Sequence, residues 1–277
     1  MVVFPNAKIN LGLNVLNRRP DGYHDISTVF LPVGWSDILE IVPAKGLETT
    51  LSVTGRVVDC PPEKNLVMKA YHRLAQEVEL PPVDIYLHKV IPDGAGLGGG
   101  SSDAAFTLVA LRDMFAKDIS DDKLAAIAGE LGADCSFFVY NKPMIAKGIG
   151  TELSPIDIEL SGLHIAIVKP KACVSTKEAY SGVIPAYPNV ALENAIEGFD
   201  ITNPASLKEI KNDFEASVLV KFPEIANAKE LMIGLGAEYV AMSGSGSAIF
   251  GIFSEGDNLS ARVANAFPDL EFYVGRF

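Results

Sequence analysis

The sequence predicts an α+β fold with two domains. Extended runs dominate the first part of the chain, helical stretches follow them, and the pattern of strands and helices starts again after Gly150. The length allows this division, because 277 residues are enough for one large domain or for two domains of modest size. We therefore expect an N-terminal domain over residues 1–155 and a C-terminal domain over residues 156–277.

The composition excludes several classes of protein. Apolar residues make up 48% of the chain, which is enough to build a core and too much for a disordered protein. Lys and Arg total 23 against 35 Asp and Glu, and the net charge of −12 disfavours a broad surface for nucleic acid. The three cysteines share no short spacing, so we expect neither a disulfide framework nor a metal knuckle.

We expect a cytoplasmic protein that does not bind membranes. No apolar run approaches the roughly 20 residues of a membrane-spanning helix. The first residues also lack the basic segment and apolar stretch of a signal peptide. An acidic chain of this kind can still bind one anion locally, through backbone N–H groups and a few well-placed cations.

The first part of the chain is predicted to form strands. Apolar and polar residues alternate over residues 4–16, with Ile9 and Leu11 on one side and Lys8 and Asn10 on the other. This period of two predicts a strand with one buried face. Further strands are predicted over residues 23–31, 38–42, 49–53 and 83–90.

Helical spacing and capping residues define the other elements. An apolar stripe predicts a helix over residues 64–78, and Ser120 and Gly132 cap and close a predicted helix over 121–131. In the second half, the predicted strands cover 164–169, 238–242, 248–253 and 270–275. The predicted helical stretches there cover 188–198, 205–235 and 257–266.

A glycine-rich loop precedes another predicted helix, over residues 103–115. Five glycines occur within residues 94–100, and glycine in a regular element costs roughly 0.5–1 kcal/mol relative to alanine. The helix is expected to start at Ser101 or Ser102, so that its positive N-terminal end faces the loop. Loop and helix together predict a phosphate cradle.

Two better-known nucleotide motifs do not fit this loop. No Gly-Lys-Ser/Thr closes it, which excludes a Walker P-loop. It matches G-x-G-x-x-G, but the acids about 20 residues later lie in a polar loop and at a helix start, whereas a ribose-binding acid ends a strand. A flexible linker or a tight turn is the remaining alternative.

Lys8 and Asp134 are candidate functional residues with simple alternatives. Lys8 shares the polar side of its strand with Asn10, and a lysine on a strand is usually just solvated. Asp134 follows Gly132, and by itself it is most simply an N-cap or an ordinary loop acid. Burial would raise the pKa of such an acid, whereas a nearby lysine would lower it.

Three segments of the chain resemble the signature segments of the galactokinase–homoserine–mevalonate–phosphomevalonate (GHMP) kinase superfamily. They are Pro5 to Leu11, Pro92 to Ser102, and Ser243 to Ser247. Two more segments, Arg19 to His24 and Gly132 to Phe138, resemble the branch whose members act on a cytidine-linked substrate. The resemblance covers both ends and most of the chain, and the serine–glycine segment alone is its weakest part.

The resemblance implies a fold and a reaction. The N-terminal domain would resemble the second domain of ribosomal protein S5, with a left-handed β-α-β crossover, and the C-terminal domain would be ferredoxin-like. The active site would lie in the cleft between the domains. Members of this branch transfer the γ-phosphoryl group of ATP, with Mg²⁺, to the 2-hydroxyl of 4-diphosphocytidyl-2-C-methyl-D-erythritol in the non-mevalonate isoprenoid pathway.

The resemblance also implies roles for individual residues. Asp134 would orient the substrate hydroxyl and accept its proton, and Lys8 would keep Asp134 ionised and stabilise negative charge. The ATP-binding positions would be Asn65, Lys89, Pro92, Asp93, Gly94, Ala95, Gly96, Leu97, Gly98, Gly99, Gly100, Ser101 and Ser102. No acid is clearly dedicated to Mg²⁺, which leaves its protein ligands unassigned apart from the hydroxyls of Ser101 or Ser102.

The substrate site implied by the resemblance is centred on aromatic residues. Tyr23 would stack on cytosine, His24 would bind its edge, and Tyr180 is the candidate for a second stacking ring. The remaining substrate-binding candidates are Asn10, Gly244 and Ser245. Each has a plainer alternative: a packed surface tyrosine for Tyr180, a loop histidine for His24, and a tight turn between strands for the Ser-Gly segment.

Two rival functions stay open at this point. The chain could be a kinase of the same superfamily that acts on homoserine or mevalonate, but those substrates carry no base for Tyr23 and His24. It could also be an ATP-binding sensor without turnover, which would be expected to lack Lys8 or Asp134. In every case we expect a monomer or homodimer that binds small molecules.

Overall fold

The computed structural model of the chain describes residues 1–277 except Asp59 and Lys208. By internal contacts the chain divides into two compact units, each discontinuous in sequence. Unit 1 comprises residues 1–7, 35–93 and 98–142, and unit 2 comprises residues 8–34, 94–97 and 143–277. The domain boundary at residue 155 stays a prediction.

Runs of strands and runs of helices follow one another along the chain. The strands are β1 Val2–Val3, β2 Asn6–Arg18, β3 His24–Ser36, β4 Ile38–Pro43, β5 Thr50–Gly55, β6 Val83–Lys89, β7 Met144–Lys147, β8 Glu152–Pro155, β9 His164–Lys169, β10 Tyr239–Met242, β11 Ile249–Phe253 and β12 Glu271–Arg276. The helices are α1 Leu66–Leu74, α2 Gly99–Phe115, α3 Asp121–Leu131, α4 Cys135–Tyr140, α5 Thr176–Gly182, α6 Leu192–Glu197, α7 Pro204–Leu207, α8 Glu215–Lys221, α9 Pro223–Gly234 and α10 Leu259–Ala266.

Unit 1 is a sheet covered by helices on one face. Its strands lie in the order β1-β4-β6-β5, and β5 runs parallel to β6, to which it connects through α1. Alternate residues such as Leu39 and Ile85 are fully buried and belong to one core with Leu74 of α1 and Leu108 of α2. Because only one face of the sheet carries this apolar row, the helices pack on that face.

Unit 2 contains two further sheets. One has the order β2-β3-β7-β8, and the other is antiparallel with the order β10-β11-β9-β12. In the second sheet, strand, helices, two strands, helix and strand follow one another, which is the ferredoxin-like arrangement. Val168 and Ile249 of the sheet share a core with Met232 of α9 and Val263 of α10.

The predicted α+β class is confirmed, and most predicted elements are present. Ser120 caps α3 by accepting a hydrogen bond from Lys123 N, and Gly132 ends that helix. The short elements β1, β7, β8, α4 and α5 were not predicted, because runs of two to seven residues give too little periodicity to recognise. None of the described helices is long and apolar enough to span a membrane.

The expectation that the first strand has only one buried face was wrong. Lys8 is 3% exposed and Asn10 is 2% exposed, although both lie on the polar side of β2. The physical reason is that these polar groups are paired with one another and with β3, so burying them does not leave donors or acceptors unsatisfied. Alternation predicted the strand correctly but could not reveal this pairing.

Candidate active site

A buried row of polar groups runs along the strand that carries Lys8. The Lys8 Nζ donates a hydrogen bond to Asn10 Oδ1 at 2.6 Å, and Asn10 Nδ2 donates to Thr28 Oγ1 at 2.8 Å. Thr28 Oγ1 donates in turn to the carbonyl oxygen of Gly12 at 2.6 Å. The ammonium also lies 4.9 Å from the centroid of the Phe30 ring. These contacts fix the orientations of the Lys8 amine and the Asn10 amide.

The tip of the glycine loop, residues 94–97, packs against this strand and against the Ser-Gly segment. The Lys8 backbone N–H donates to the carbonyl oxygen of Leu97 at 2.9 Å, and Ser243 Oγ donates to that of Gly96 at 2.9 Å. Gly96 has a φ of +75°, and a Cβ there would overlap the carbonyl oxygen of Ser243. Only glycine permits this approach, so the tip is a fixed part of unit 2 and not a flexible linker.

The Ser-Gly segment is the turn between β10 and β11, as its plainer alternative proposed. Ser243 and Ser247 are fully buried, and their hydroxyls donate to backbone carbonyl oxygens at 2.9 Å and 2.6 Å. Ser245 is partly exposed, so it is the serine of this turn that a ligand can reach. A turn between strands and a ligand-binding loop are compatible here.

Gly244 places the turn beside the polar row. Its φ is +55°, and a Cβ at Gly244 would lie 3.4 Å from Asn10 Oδ1 and 3.4 Å from Gly96 Cα. Unit 2 therefore brings together two residues predicted to bind substrate, Asn10 and Gly244, and one predicted to bind ATP, Gly96.

Two of the three aromatic residues of the predicted cytidine site, His24 and Tyr180, meet in unit 2. The rings of His24 and Tyr180 stack with centroids 4.7 Å apart and an interplanar angle of 19°. Tyr180 also packs edge-on against Phe214, at 4.8 Å. Tyr23 is 63% exposed, so its ring face is open to a ligand. Because His24 and Tyr180 contact each other directly, a base would stack outside this pair and not between the two rings.

In unit 1, the helix after the glycine loop starts earlier than expected. α2 begins at Gly99, with Gly98 as N-cap at a φ of +72°, and the expectation of a start at Ser101 or Ser102 was wrong. The first turn of a helix leaves its N–H groups without carbonyl partners, so glycine costs little there. The Ser102 N–H makes the first bond of the helix, to Gly98 O at 2.9 Å. Gly98 has no side chain that could accept the N–H groups of the first turn, so these groups suit the binding of an anion.

A buried ion cluster joins both sides of the glycine loop in unit 1. The Lys89 Nζ contacts Asp37 Oδ2 and lies 2.7 Å from Asp103 Oδ2. Asp37 Oδ1 accepts the backbone N–H groups of Val90 and Ile91 at 2.5 Å and 2.8 Å. The end of β6 and the first part of α2 are therefore tied together through Lys89.

Two side chains of this cluster, Asp103 and Lys89, have shifted pKa values. Burial raises the pKa of Asp103 to about 8, although the neighbouring Lys89 opposes the rise. Burial by itself would lower the pKa of Lys89, but Asp103 and Asp37 outweigh it, and the net shift is upward. Sequence reasoning missed Asp37 and Asp103. The available signal was that Asp103 is the one charged residue in the first half of α2, which did not indicate its partner.

A cavity of about 170 Å³ opens beside this cluster. Four residues predicted to bind ATP line it: Asn65, Lys89, Asp93 and Gly100. Asn65 also caps α1, because its Oδ1 accepts a hydrogen bond from Val67 N at 2.9 Å. Leu66 and Leu87 form an apolar part of the cavity wall. Val58 is a third apolar lining residue, and Lys64 and Asp103 add charged groups, so the wall offers both apolar surface and polar groups to the base of a nucleotide.

Asp134 is linked to the first turn of α2 by the next residue, Cys135, whose thiol forms a hydrogen bond with Ser101. Asp134 precedes α4 as its N-cap residue, but its side chain does not cap that helix, which argues against a capping role and leaves the alternative of an ordinary loop acid open. Burial raises the pKa of the Cys135 thiol to about 11, a hydrogen bond with Ser101 opposes the rise, and the charge of Asp134 adds to it. Unit 1 thus places the predicted catalytic acid near a predicted phosphate-binding serine.

The predicted site residues are divided between the two units. Unit 1 contains Asn65, Lys89, Pro92, Asp93, Gly98, Gly99, Gly100, Ser101, Ser102 and Asp134. Unit 2 contains Lys8, Asn10, Tyr23, His24, Gly94, Ala95, Gly96, Leu97, Tyr180, Gly244 and Ser245. Within each unit these residues form the local groups described above.

The described residues contain no group of three or more His, Cys, Asp or Glu side chains suited to a metal. Two buried oxygens near the start of α2, Ser102 Oγ and Asp103 Oδ1, have no hydrogen-bond partner among the described atoms. Oxygen donors of this kind fit Mg²⁺, which usually takes few protein ligands and keeps phosphate and water oxygens.

Comparison with known proteins identifies the family. Residues 65–142 match the model of the GHMP kinases N terminal domain, and residues 192–269 match that of the GHMP kinases C terminal domain. A 4-diphosphocytidyl-2-C-methyl-D-erythritol kinase of Bacteroides fragilis NCTC 9343 is 48% identical over 264 residues, covering 94% of each chain. That of Parabacteroides distasonis is 49% identical over 257 residues, covering 92% of each chain. The chain belongs to the 4-diphosphocytidyl-2-C-methyl-D-erythritol kinase family.

Solved structures separate this family from its relatives. A crystal structure of 4-(cytidine 5'-diphospho)-2C-methyl-D-erythritol kinase aligns with a TM-score of 0.84 and 32% identity, covering 99% of this chain and 98% of that one. A homoserine kinase from Cytophaga hutchinsonii aligns with a TM-score of 0.70 but only 18% identity, covering 98% and 93%. The second similarity shows a common fold alone, so it does not support the homoserine kinase alternative.

Proposed function

We propose that this chain transfers the γ-phosphoryl group of ATP to the 2-hydroxyl of 4-diphosphocytidyl-2-C-methyl-D-erythritol, a step that supplies isoprenoid precursors. The observation that carries the proposal is the similarity over nearly the whole chain, at 48% identity, to an enzyme named for that substrate. The positions that carry the chemistry in this proposal, including Lys8, Asp134, Tyr23 and His24, are all present.

ATP binding is assigned to the glycine loop and α2. The uncapped first turn of α2 offers backbone N–H groups to phosphate oxygens, and the helix dipole favours their negative charge. The cavity lined by Asn65 and Lys89 would hold the base. Mg²⁺ would be held mainly by phosphate oxygens and water, with Ser101 or Ser102 as a protein ligand, and would neutralise charge on the phosphates.

The proton transfer is assigned to Asp134 and Lys8. Asp134 would orient the substrate 2-hydroxyl and accept its proton as the oxygen attacks the γ-phosphorus. The Lys8 ammonium would stabilise negative charge that develops during the transfer, from an orientation already fixed by Asn10. Phosphoryl transfer depends mainly on positioning and charge stabilisation, so one acid, one cation and a rigid loop are sufficient.

Recognition of the cytidine part is assigned to Tyr23 and His24. The exposed ring of Tyr23 offers a face on which cytosine can stack, and the imidazole of His24 can hydrogen-bond the edge of the base. Tyr180 supports this arrangement by stacking on His24. The diphosphate is assigned to the backbone of Gly244 and to Ser245, beside Asn10.

Replacing Tyr23 by alanine tests the cytosine site. Loss of base stacking costs about 1–3 kcal/mol, so we expect the KM for the cytidine substrate to rise roughly tenfold to a hundredfold. The KM for ATP is expected to stay within about twofold, because the nucleotide residues are unchanged. Tyr86→Ala, which removes an exposed tyrosine from β6, is the matched control. Equal KM values for the cytidine substrate in both variants would remove Tyr23 from the site.

A substrate comparison tests the proposed function itself. ADP release by the purified chain is measured with ATP and one of three alcohols: the cytidine substrate, homoserine or mevalonate. We expect turnover with the first and rates at background with the other two, which carry no base to contact Tyr23 and His24. Turnover with homoserine or mevalonate alone would replace the proposal by the corresponding rival.

The remaining assignments concern the compartment of the reaction, the oligomeric state of the enzyme and its partners. We infer that the enzyme acts in the cytoplasm as a monomer or homodimer, on small-molecule substrates and without nucleic acid. The net charge of −12 supports the last point, since it disfavours a broad polyanion-binding surface.

A further inference from the structure

Asn212, a residue without an assigned role so far, holds the Ser-Gly turn in place. Its Nδ2 donates hydrogen bonds to two carbonyl oxygens, those of Met242 at 2.7 Å and Gly244 at 2.8 Å. Its Oδ1 accepts the backbone N–H of Phe214 at 3.0 Å. Asn212 is 3% exposed, so this amide uses both donors and its acceptor inside unit 2.

The backbone on either side of Asn212 is fixed to β2. Leu13 N donates to the carbonyl oxygen of Lys211 at 2.7 Å, and Asp213 N donates to that of Leu13 at 2.9 Å. The Asp213 carboxylate also accepts the N–H of Val15 at 2.8 Å. Asn212 therefore projects from a segment anchored to the strand that carries Lys8 and Asn10.

Phe214 and Glu215 extend these contacts to the aromatic pair and to the strand that leads into the turn. The Phe214 ring packs edge-on against Tyr180, which stacks on His24. Glu215 Oε1 accepts the N–H of Met242 at 2.6 Å, while Asn212 binds the carbonyl of the same residue. Four consecutive side chains thus connect β2, the Ser-Gly turn and the aromatic pair.

We propose that Asn212 is a positioning residue that sets the Ser-Gly turn, residues 243–247, for binding the substrate diphosphate. Asn212 fixes the carbonyls of Met242 and Gly244 on its own side of the turn, and in this proposal the N–H groups of the turn donate to the diphosphate. This inference rests on the proposed function, because it takes the diphosphate of that substrate as the ligand of the turn.

A purely structural role for Asn212 makes a different prediction from a positioning role. Loss of a buried amide that only stabilises the fold would lower the midpoint of thermal unfolding and reduce the active fraction, with both KM values unchanged. A positioning role changes the KM for the cytidine substrate selectively. The tip of the glycine loop is joined to the turn by the bond from Ser243 Oγ to Gly96 O. Its bonds from Ala248 N to Ala95 O and from Lys8 N to Leu97 O are made outside residues 243–247, so ATP binding is expected to be largely preserved.

Asn212→Asp tests the proposal with almost no change in shape. The carboxylate cannot donate to the two carbonyls, and we expect the KM for the cytidine substrate to rise about tenfold or more. The KM for ATP is expected to stay within about twofold. Asn227→Asp makes the same chemical change on an exposed position of α9 and is the matched control, with kinetics expected to equal those of the unmodified chain.

Two further variants keep the test decisive if Asn212→Asp fails to fold. Asn212→Ser retains one donor, and we expect a smaller rise in the KM for the cytidine substrate, about threefold. Phe214→Leu removes the ring that supports Tyr180, and we expect a rise of about three- to tenfold, again without a matching change for ATP.

Each outcome has a separate meaning. KM values for the cytidine substrate in Asn212→Asp or Asn212→Ser that equal the control would overturn the positioning role. Equal rises in both KM values would also overturn it, because a positioning role at this turn changes the KM for the cytidine substrate selectively. Absence of turnover in the unmodified chain would reject the proposed function instead, and that result is obtained before any variant is measured.

Discussion

Asp134→Asn is expected to reduce kcat by about 10²–10⁴-fold, the range typical for loss of a general base. The amide keeps the size of the carboxylate but cannot take the proton of the substrate hydroxyl. Because Asp134 does not cap α4, the substitution removes no helix-capping bond, and the folded state should be preserved. KM values for ATP and for the cytidine substrate are expected to change by less than about threefold, since the role is in the chemical step.

Steady-state kinetics combined with thermal unfolding check this prediction. Asp118→Asn, a change of the same kind at an exposed position between α2 and α3, is the control. Turnover within about twofold of that control would exclude Asp134 as the base. An equal unfolding temperature for the two variants would show that any loss of rate is chemical and not structural.

Lys8→Ala is the second large expected effect. Removing a cation that stabilises charge in the transition state typically costs about 10²–10³-fold in kcat. The substitution also deprives Asn10 Oδ1 of its donor at 2.6 Å, so the amide is expected to lose its fixed orientation. A rise in the KM for the cytidine substrate should therefore accompany the fall in kcat.

The control for Lys8 is Lys171→Ala, which removes an exposed lysine of unit 2. Because Lys8 is almost fully buried and packs against Phe30, its loss should also lower the unfolding temperature, and assays belong well below that temperature. Normal kcat in a folded Lys8→Ala variant would contradict the assigned role. If Lys8 and Asp134 contribute to the same chemical step, the double variant should be little slower than Asp134→Asn alone.

Patterns among neighbouring residues predicted the strands, helix ends and loops that form through interactions between those neighbours. The alternation around Lys8 gave the strand, Ser120 and Gly132 gave the ends of α3, and the glycines of residues 94–100 gave a loop that enters a helix. Each of these follows from neighbouring residues alone, through side-chain period, capping or permitted φ values.

Contacts between distant residues could not be obtained this way. Asp37 and Asp103 meet at Lys89, although the two acids are 66 positions apart in the chain, and neither has a local pattern that marks it as buried. Asn212 reaches Gly244 across 32 positions, and its role depends on a turn whose own sequence was the weakest signal. Burial of the polar face of β2 was missed for the same reason, because the partner of Asn10 is Thr28 on the next strand.

Identification of the reaction product tests the central claim most directly. The purified chain is incubated with ATP and 4-diphosphocytidyl-2-C-methyl-D-erythritol, and phosphorus NMR follows the products. We expect ADP and, in equal amount, a new phosphomonoester on the tertiary carbon, with the diphosphate bridge intact. Hydrolysis of ATP to ADP and free phosphate, or a phosphate attached at any other hydroxyl, would contradict the account.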